Sequence, residues 1–134
     1  MNGHEQLDVA TDKRCQWVDI TRTVQKAVER QRLKSGFCLV SSPHTTAAVP
    51  INENADSDVE RDFFHKLEKM VPQHEEYRHS EGNSDSHVKS SLIGFSVTVP
   101  VSAGRLVLGT WQSIYFCEFD GPRRRKVHVT LVGE

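Results

Sequence analysis

Residues 95–132 read FSVTVPVSAGRLVLGTWQSIYFCEFDGPRRRKVHVTLV, and this stretch decides the fold. Apolar and polar residues alternate within residues 95–99 and 126–132, and Ile114, Phe116 and Glu118 alternate with Tyr115, Cys117 and Phe119. A period of two predicts β-strands, because successive side chains of a strand point to opposite faces. Turn residues separate these segments, notably Asp120-Gly121-Pro122. Consecutive strands joined by short turns favour an antiparallel sheet or sandwich.

The preceding two thirds of the chain predict helices and further strands. Apolar residues recur at helical spacing after Thr21, a candidate N-cap, and Gly36 stands where a helix C-cap is expected. A second helix is predicted from a cap at Asp56 or Ser57 to Pro72, and a short third ends at Gly94. We therefore expect one α+β domain over residues 1–134. It would be β-rich, with mostly antiparallel sheets in a sandwich, two main helices and a short third.

Composition excludes several classes of protein. The 134 residues carry 17 Lys and Arg against 18 Asp and Glu, a net charge of -1, so no basic field predicts nucleic-acid binding. No apolar run approaches the roughly 20 residues of a membrane-spanning helix. The polar N-terminus lacks the apolar core of a signal peptide, which predicts a soluble cytoplasmic protein. The three cysteines form no C-x-x-C pair and are predicted to be buried thiols.

Five of the seven histidines fall between residues 42 and 87, in the one long polar region of the chain. His44, His79 and His87 are candidate metal ligands. Three neutral imidazoles leave a fourth position on a divalent metal, zinc or magnesium, for water or substrate. Asp85 and Glu81 are candidates to accept hydrogen bonds from these rings. A set of solvated or hydrogen-bonded histidines explains the same spacing, and both interpretations stay open.

Basic residues suggest where a phosphorylated substrate would bind. Arg123 opens an arginine-rich run after a turn, and a guanidinium group binds phosphate through two parallel hydrogen bonds. The next two arginines are expected to be solvated. Lys89 and Ser90, placed at the start of a short helix, are further candidates for binding an anion.

The strands of the last third contribute three more candidates. Trp111 and Gln112 combine an aromatic face with an amide, which suits stacking on a planar heterocycle; filling the core or a subunit interface is the alternative. Glu118 alternates into a run of apolar neighbours, and a buried carboxylate requires a partner. Arg105 or Arg123 is the expected partner.

Several motifs, in order over nearly the whole chain, resemble those of the YjbQ-like family, also called the secondary thiamine-phosphate synthase family. They are His44-Thr45-Thr46-Ala47-Ala48, Ile51-Asn52-Glu53-Asn54, Tyr77-Arg78-His79, His87-Val88-Lys89-Ser90-Ser91-Leu92, Gly104-Arg105-Leu106, Leu108-Gly109-Thr110-Trp111-Gln112 and Gly121-Pro122-Arg123. One departure is visible, because many relatives have a longer acidic stretch with an extra histidine where this chain has residues 83–86.

The resemblance implies a small β-rich α+β domain that assembles as a homotrimer. It also implies an activity that joins an aminopyrimidine diphosphate to a thiazole phosphate and releases diphosphate. In that setting Glu53 is a candidate base or metal ligand, Asn52 a candidate for orienting substrate, and Trp111 and Glu118 candidate catalytic residues. A metal-dependent hydrolase and a non-catalytic trimer that binds a metal or a phosphorylated ligand are the alternatives.

Overall fold

The computed structural model describes residues 2–134, which form two antiparallel sheets and three helices. The strands are β1 (Asn2–Ala10), β2 (Gln16–Asp19), β3 (Gly36–Ser41), β4 (Ala47–Ala48), β5 (Ile51–Glu53), β6 (Ser96–Ser102), β7 (Arg105–Leu106), β8 (Gln112–Glu118) and β9 (Arg124–Gly133). The helices are α1 (Thr21–Arg30), α2 (Ser57–Met70) and α3 (Ser84–Ile93). The predicted α+β class is confirmed.

The two sheets share a simple topology in which every paired strand runs antiparallel to its neighbour. One sheet has five strands in the order β1-β9-β3-β6-β7, and the other has four, β2-β8-β4 with β5 also on β8. Strands β1 and β2 both precede the first helix, but they belong to different sheets: β1 pairs with β9, and β2 with β8. The chain thus enters both sheets before its first helix.

Strand β8 lies between the two halves of the core. Ile114 and Phe116 pack with the five-stranded sheet and α1, whereas Tyr115 and Cys117 pack in a second cluster with residues of α2. Alternate side chains of a strand point to opposite faces, so β8 contributes to both clusters. Each fully buried large side chain contributes roughly 1.5–3 kcal/mol. Glu118 continues the first face, which directs its carboxylate towards the five-stranded sheet.

Helices α1 and α2 begin close to where the sequence predicts. Asp56 caps α2, since its carboxylate accepts a hydrogen bond of 2.9 Å from the Asp58 N–H. The N-cap of α1 is Ile20 rather than the predicted Thr21, whose hydroxyl accepts a hydrogen bond of 2.8 Å from the Ile114 N–H. Gly36 does not cap a helix; it begins β3.

Helix α3 is longer than the sequence predicts and begins at Ser84. Its buried face is polar, so the sequence has no apolar stripe that predicts the first turns of this helix. Asp85 is fully buried and accepts hydrogen bonds from Lys89 (2.7 Å) and Arg14 (2.9 Å). Lys89 also binds Glu68 of α2 at 2.6 Å. These ion pairs attach α3 to α2 and to the loop before β2.

No helix within residues 2–134 combines the length and the apolar character needed to cross a membrane.

Candidate functional site

A cleft of about 390 Å³ opens where three connections of the chain meet. These are the loop after β3, the approach to α3 and the turn between β8 and β9. We call it the main cleft. Its lining residues are Pro43, His44, Thr45, Thr46, Glu81, Asn83, His87, Asp120, Arg123 and Arg125. The cleft thus contains the predicted site residues His44, His87 and Arg123.

A buried ion pair lies at the floor of the main cleft. Arg125 donates to both carboxylate oxygens of Glu118, through Nε at 2.8 Å and through Nη2. The carboxylate also accepts hydrogen bonds from the Thr11 hydroxyl at 2.8 Å and the Asp120 N–H at 3.0 Å. Nη2 of Arg125 donates to the Thr46 hydroxyl at 2.8 Å. The side chain of Glu118 is 0% exposed and that of Arg125 3%.

The environment of Glu118 keeps it ionised. Burial alone would raise its pKa, but the hydrogen bonds from Arg125, Asp120 and Thr11 outweigh burial and hold the pKa below its usual value. The predicted partner of Glu118 was Arg105 or Arg123, and this prediction is wrong. The partner is Arg125, which had been expected to be solvated.

Arg123 lies at the mouth of the main cleft. Its Nη2 donates to Asp120 at 3.2 Å and its Nε donates to the Asp120 main-chain carbonyl at 3.0 Å. The same Asp120 carboxylate accepts a hydrogen bond of 2.8 Å from Asn83 at the N-cap of α3. The turn after β8 and the start of α3 are therefore held together on one side of the cleft.

A hydrogen bond fixes which ring nitrogen of neutral His44 accepts and which one can donate. Its Nε2 accepts a hydrogen bond of 2.9 Å from the Lys126 N–H, so the ring proton lies on Nδ1. Burial, with the positive charge of Arg125, lowers its pKa. This hydrogen bond occupies the Nε2 lone pair that would bind a metal.

His79 and His87 lie beside each other, and His87 lines the same cleft as His44. Their ring centroids are 5.3 Å apart in an edge-to-face arrangement. Nε2 of His79 lies 3.0 Å from the Asn83 side-chain oxygen and 3.5 Å from the Glu81 carboxylate. Asp85, the other expected partner of a histidine, binds Lys89 and Arg14 instead.

The predicted metal ligands do not fit one ion in this arrangement. Throughout residues 2–134, no three His, Cys, Asp or Glu side chains are grouped so as to hold a metal. Two imidazoles are neighbours, and the third has its Nε2 bound to the main chain. Three side chains that could hold a metal are thus not brought together in this arrangement of the described residues. Metal binding by His44, His79 and His87 stays a prediction.

Four predicted site residues lie at the end of β8 that is far from the main cleft: Asn52, Glu53, Trp111 and Gln112. Asn52 pairs with Ser113, and Glu53 with Gln112. Glu118 lies six positions after Gln112 in β8, which places the two ends of the strand about 20 Å apart. Within one chain these two groups of residues cannot contact the same small substrate.

The contacts at that end are largely local. The Glu53 carboxylate accepts a hydrogen bond of 3.0 Å from the Asp56 N–H, and the Gln112 side chain accepts one of 2.8 Å from the Gly109 N–H. The Asn52 side chain accepts one of 2.8 Å from the Glu53 N–H. Trp111 is 63% exposed, so it does not fill the core of this chain.

Lys89 also lies outside the main cleft. It was predicted to bind an anion at the start of a short helix, but α3 begins five residues earlier. Lys89 therefore lies within the helix and is 2% exposed, with its ammonium group between the carboxylates of Asp85 and Glu68. This position corrects the predicted placement and indicates a structural contact.

Sequence reasoning missed Arg125 as a residue of the cleft. A signal was present, because Arg125 is in phase with Val127, Val129 and Leu131, the buried face of β9. Asp120 and Asn83 were missed as well, and no spacing in the sequence points to their contact.

Comparisons with known proteins agree on one family. Residues 5–134 match the family described as "UPF0047 protein YjbQ-like". The chain is 48% identical to UPF0047 protein YugU of Bacillus subtilis (strain 168) over 128 residues, covering 95% of this chain and 97% of that protein. A UPF0047 protein of Methanocaldococcus jannaschii is 45% identical over 126 residues, covering 94% and 91%.

Solved structures show the same fold. A YjbQ/UPF0047 family protein from Clostridium acetobutylicum superposes with a TM-score of 0.94 at 48% identity, covering 96% of this chain and 99% of that one. A protein from Sulfolobus solfataricus, described as YbjQ-like and of unknown function, has a TM-score of 0.96 at 32% identity, covering 100% and 99%.

Proposed function

The chain belongs to the UPF0047 family of YjbQ-like proteins, and on that premise we propose that its main cleft binds the phosphate groups of a small substrate. The reaction proposed is that of a secondary thiamine-phosphate synthase. The observation that carries the proposal is the pair of guanidinium groups, Arg123 and Arg125, on the wall of one cleft. Each is held by a carboxylate, so both are oriented before a ligand arrives.

The proposed reaction needs groups that bind the leaving diphosphate. The ring nitrogen of the thiazole phosphate attacks the methylene carbon of the aminopyrimidine diphosphate. A C–N bond forms, and the C–O bond breaks with its electron pair moving to the diphosphate. Donors already aimed at that oxygen lower the barrier, because they stabilise the charge as it develops.

Three groups of this chain are suited to that task. Arg123 and Arg125 supply positive charge, and the Nδ1–H of neutral His44 supplies a further donor on the same cleft. Helix α3 also begins at the cleft, with Asn83 at its N-cap, and the N-terminal end of a helix favours an anion. No base is required in the cleft, since the attacking nitrogen carries a lone pair.

The proposal includes three further elements. They are a homotrimer, a divalent metal (zinc or magnesium) and a cytoplasmic location. Light scattering tests the trimer. Metal analysis of wild type, His79→Ala and His87→Ala tests the metal: unchanged metal content in both variants would contradict the ligand assignment. No catalytic step is assigned to the metal.

A turnover assay tests the proposed reaction. The chain is incubated with the aminopyrimidine diphosphate and the thiazole phosphate, with and without divalent metals, and thiamine phosphate is quantified by mass. We expect product with wild type and with Arg124→Ala, an exposed arginine outside the main cleft, and strongly reduced product with Arg123→Ala. No product from wild type under any of these conditions would contradict a synthase.

A non-catalytic binding protein is the second candidate. It is favoured by the contacts of Glu118, a predicted catalytic residue, because its carboxylate is buried and bound on both oxygens and so has no free oxygen to contact a substrate. Retained binding of diphosphate by a chain without turnover would support this function. Release of phosphate from the aminopyrimidine diphosphate alone would indicate a hydrolase.

A further inference from the structure

Arg125 is the most buried cation of the main cleft. Resting on the proposed function, we infer that Arg125 binds a phosphate group of the ligand through Nη1, and that Glu118 is a positioning residue that aims it. The site thereby selects a phosphate or diphosphate group. Neither role is apparent from the local sequence, since Arg125 is the last of three consecutive arginines.

The hydrogen bonds of Arg125 leave one nitrogen for a ligand. Nε and Nη2 donate to Glu118, and Nη2 also reaches the Thr46 hydroxyl and carbonyl. Among residues 2–134 no group accepts a hydrogen bond from Nη1. The one buried side-chain nitrogen or oxygen without a partner in that range is Ser90 Oγ, so Nη1 is not sealed in the core. Because Arg125 lines the main cleft, we take its two Nη1 hydrogens to be those that meet the ligand.

The contacts of Glu118 fix the guanidinium plane. Four hydrogen bonds reach its carboxylate, and two of them come from Arg125. A guanidinium bound along one edge cannot rotate, so its free edge keeps one direction. A donor fixed before binding loses little entropy when the ligand arrives, which raises affinity.

The burial of this ion pair itself indicates a role beyond folding. Well-packed apolar residues of similar volume often stabilise a protein as much as a buried ion pair does, because desolvation offsets the attraction between the charges. Here the pair lies at a cleft rather than inside a closed core. A second cation, Arg123, lies at the mouth of the same cleft, and two guanidinium groups match an anion with several oxygens.

Titration calorimetry with inorganic diphosphate tests the inference. Wild type is compared with Arg125→Lys, which keeps the charge but loses the fixed fork, and with Glu118→Gln. The matched control is Arg124→Lys, the adjacent residue of β9, which is exposed and outside the main cleft. We expect Arg125→Lys to weaken binding about tenfold or more, the loss of one charge-assisted hydrogen bond. The control should bind as wild type does.

Glu118→Gln distinguishes two roles of Glu118: orienting the guanidinium of Arg125, or acting only as a negative charge near the anion. Removing a negative charge near an anion site strengthens binding if Glu118 acts only as a nearby charge. If Glu118 aims Arg125, the same substitution weakens binding several-fold. Thermal unfolding of each variant establishes that it is folded at the temperature of the titration.

Three outcomes are distinguishable. Failure of wild type to bind diphosphate overturns the proposed function. Binding by wild type with unchanged affinity in Arg125→Lys overturns the inference alone. If Arg125→Lys does not fold, the sign of the change in Glu118→Gln decides, and tighter binding overturns the positioning role.

Discussion

Replacing Arg125 by methionine isolates the energetic role of the buried ion pair. Methionine keeps much of the side-chain volume but removes the guanidinium. Glu118, which is 0% exposed, then loses two of the four hydrogen bonds that its carboxylate accepts, and with them its direct contact with the guanidinium. Removing one partner of a buried pair costs about 3–5 kcal/mol, because the other charge stays buried without compensation. At about 3 °C per kcal/mol, the melting temperature should fall by about 9–15 °C.

The loss of stability should depend on pH in a specific direction. In wild type the pKa of Glu118 is held below its usual value despite burial, so its contribution is present above the unfolded-state pKa near 4.3 and is lost as pH falls through the folded-state pKa. Without Arg125, burial acts against the charged form and raises the pKa. The stability difference between wild type and Arg125→Met should therefore be largest near pH 7, begin to shrink as pH falls through the raised pKa of the variant, and be smallest below the lowered folded-state pKa of wild type.

Urea unfolding at several pH values measures this difference, with Arg124→Met as the control. Arg124 is exposed, so its substitution should change the free energy of unfolding by less than about 0.5 kcal/mol. Adding Glu118→Gln to Arg125→Met should recover part of the loss, because the buried charge is removed as well. A loss below about 1 kcal/mol that is independent of pH would refute the reasoning.

Three further predictions concern other parts of the chain. Lys89→Met should lower the free energy of unfolding by about 2 kcal/mol, because a buried carboxylate of α3 loses a charged hydrogen bond, whereas exposed Lys66→Met should have little effect; equal effects in urea unfolding would contradict this. Gly36→Ala should destabilise far more than Gly82→Ala, since a Cβ at the first site would lie 2.0 Å from a main-chain oxygen and at the second would meet nothing within 4 Å. Similar melting temperatures for the two would be the contrary result. His44 should titrate by NMR below its ordinary pKa of 6.5, and a midpoint above 6.5 would show that its ring is not held neutral.

Strand β9 was predictable because its burial follows a period of two. Strand β8 is buried on both faces, and the apolar neighbours of Glu118 predicted that its carboxylate is buried. The ends of α2 were predictable for a different reason, since Asp56 and Pro72 are local signals. None of these patterns specifies which strands pair, and β1 and β2 enter different sheets.

Helix α3 was only partly predictable because its buried face is held by charges. Asp85 and Lys89 are among the most buried residues of the chain, although their residue types are typical of a surface. Their partners lie elsewhere in the sequence, at Arg14 and Glu68. A hydrophobic pattern cannot reveal an element whose contacts are ion pairs.

The sequence predicted several individual residues of the main cleft but not the contacts that form it. His44, His87 and Arg123 were identified from their chemistry and do line one cavity. The pairing of Arg125 with Glu118 depends on the register between β8 and β9 across a turn, which composition does not define. Trp111 and Glu53 were grouped with the cleft by motif, whereas the length of β8 separates them from it.

A crystal structure of the chain with bound inorganic diphosphate tests the central claim most directly. The account predicts a phosphate oxygen about 2.7–3.0 Å from Nη1 of Arg125, a second oxygen bound by Arg123, and an unchanged pairing of Arg125 with Glu118. Diphosphate bound only at a surface outside the main cleft, or no diphosphate at saturating concentration, would contradict it.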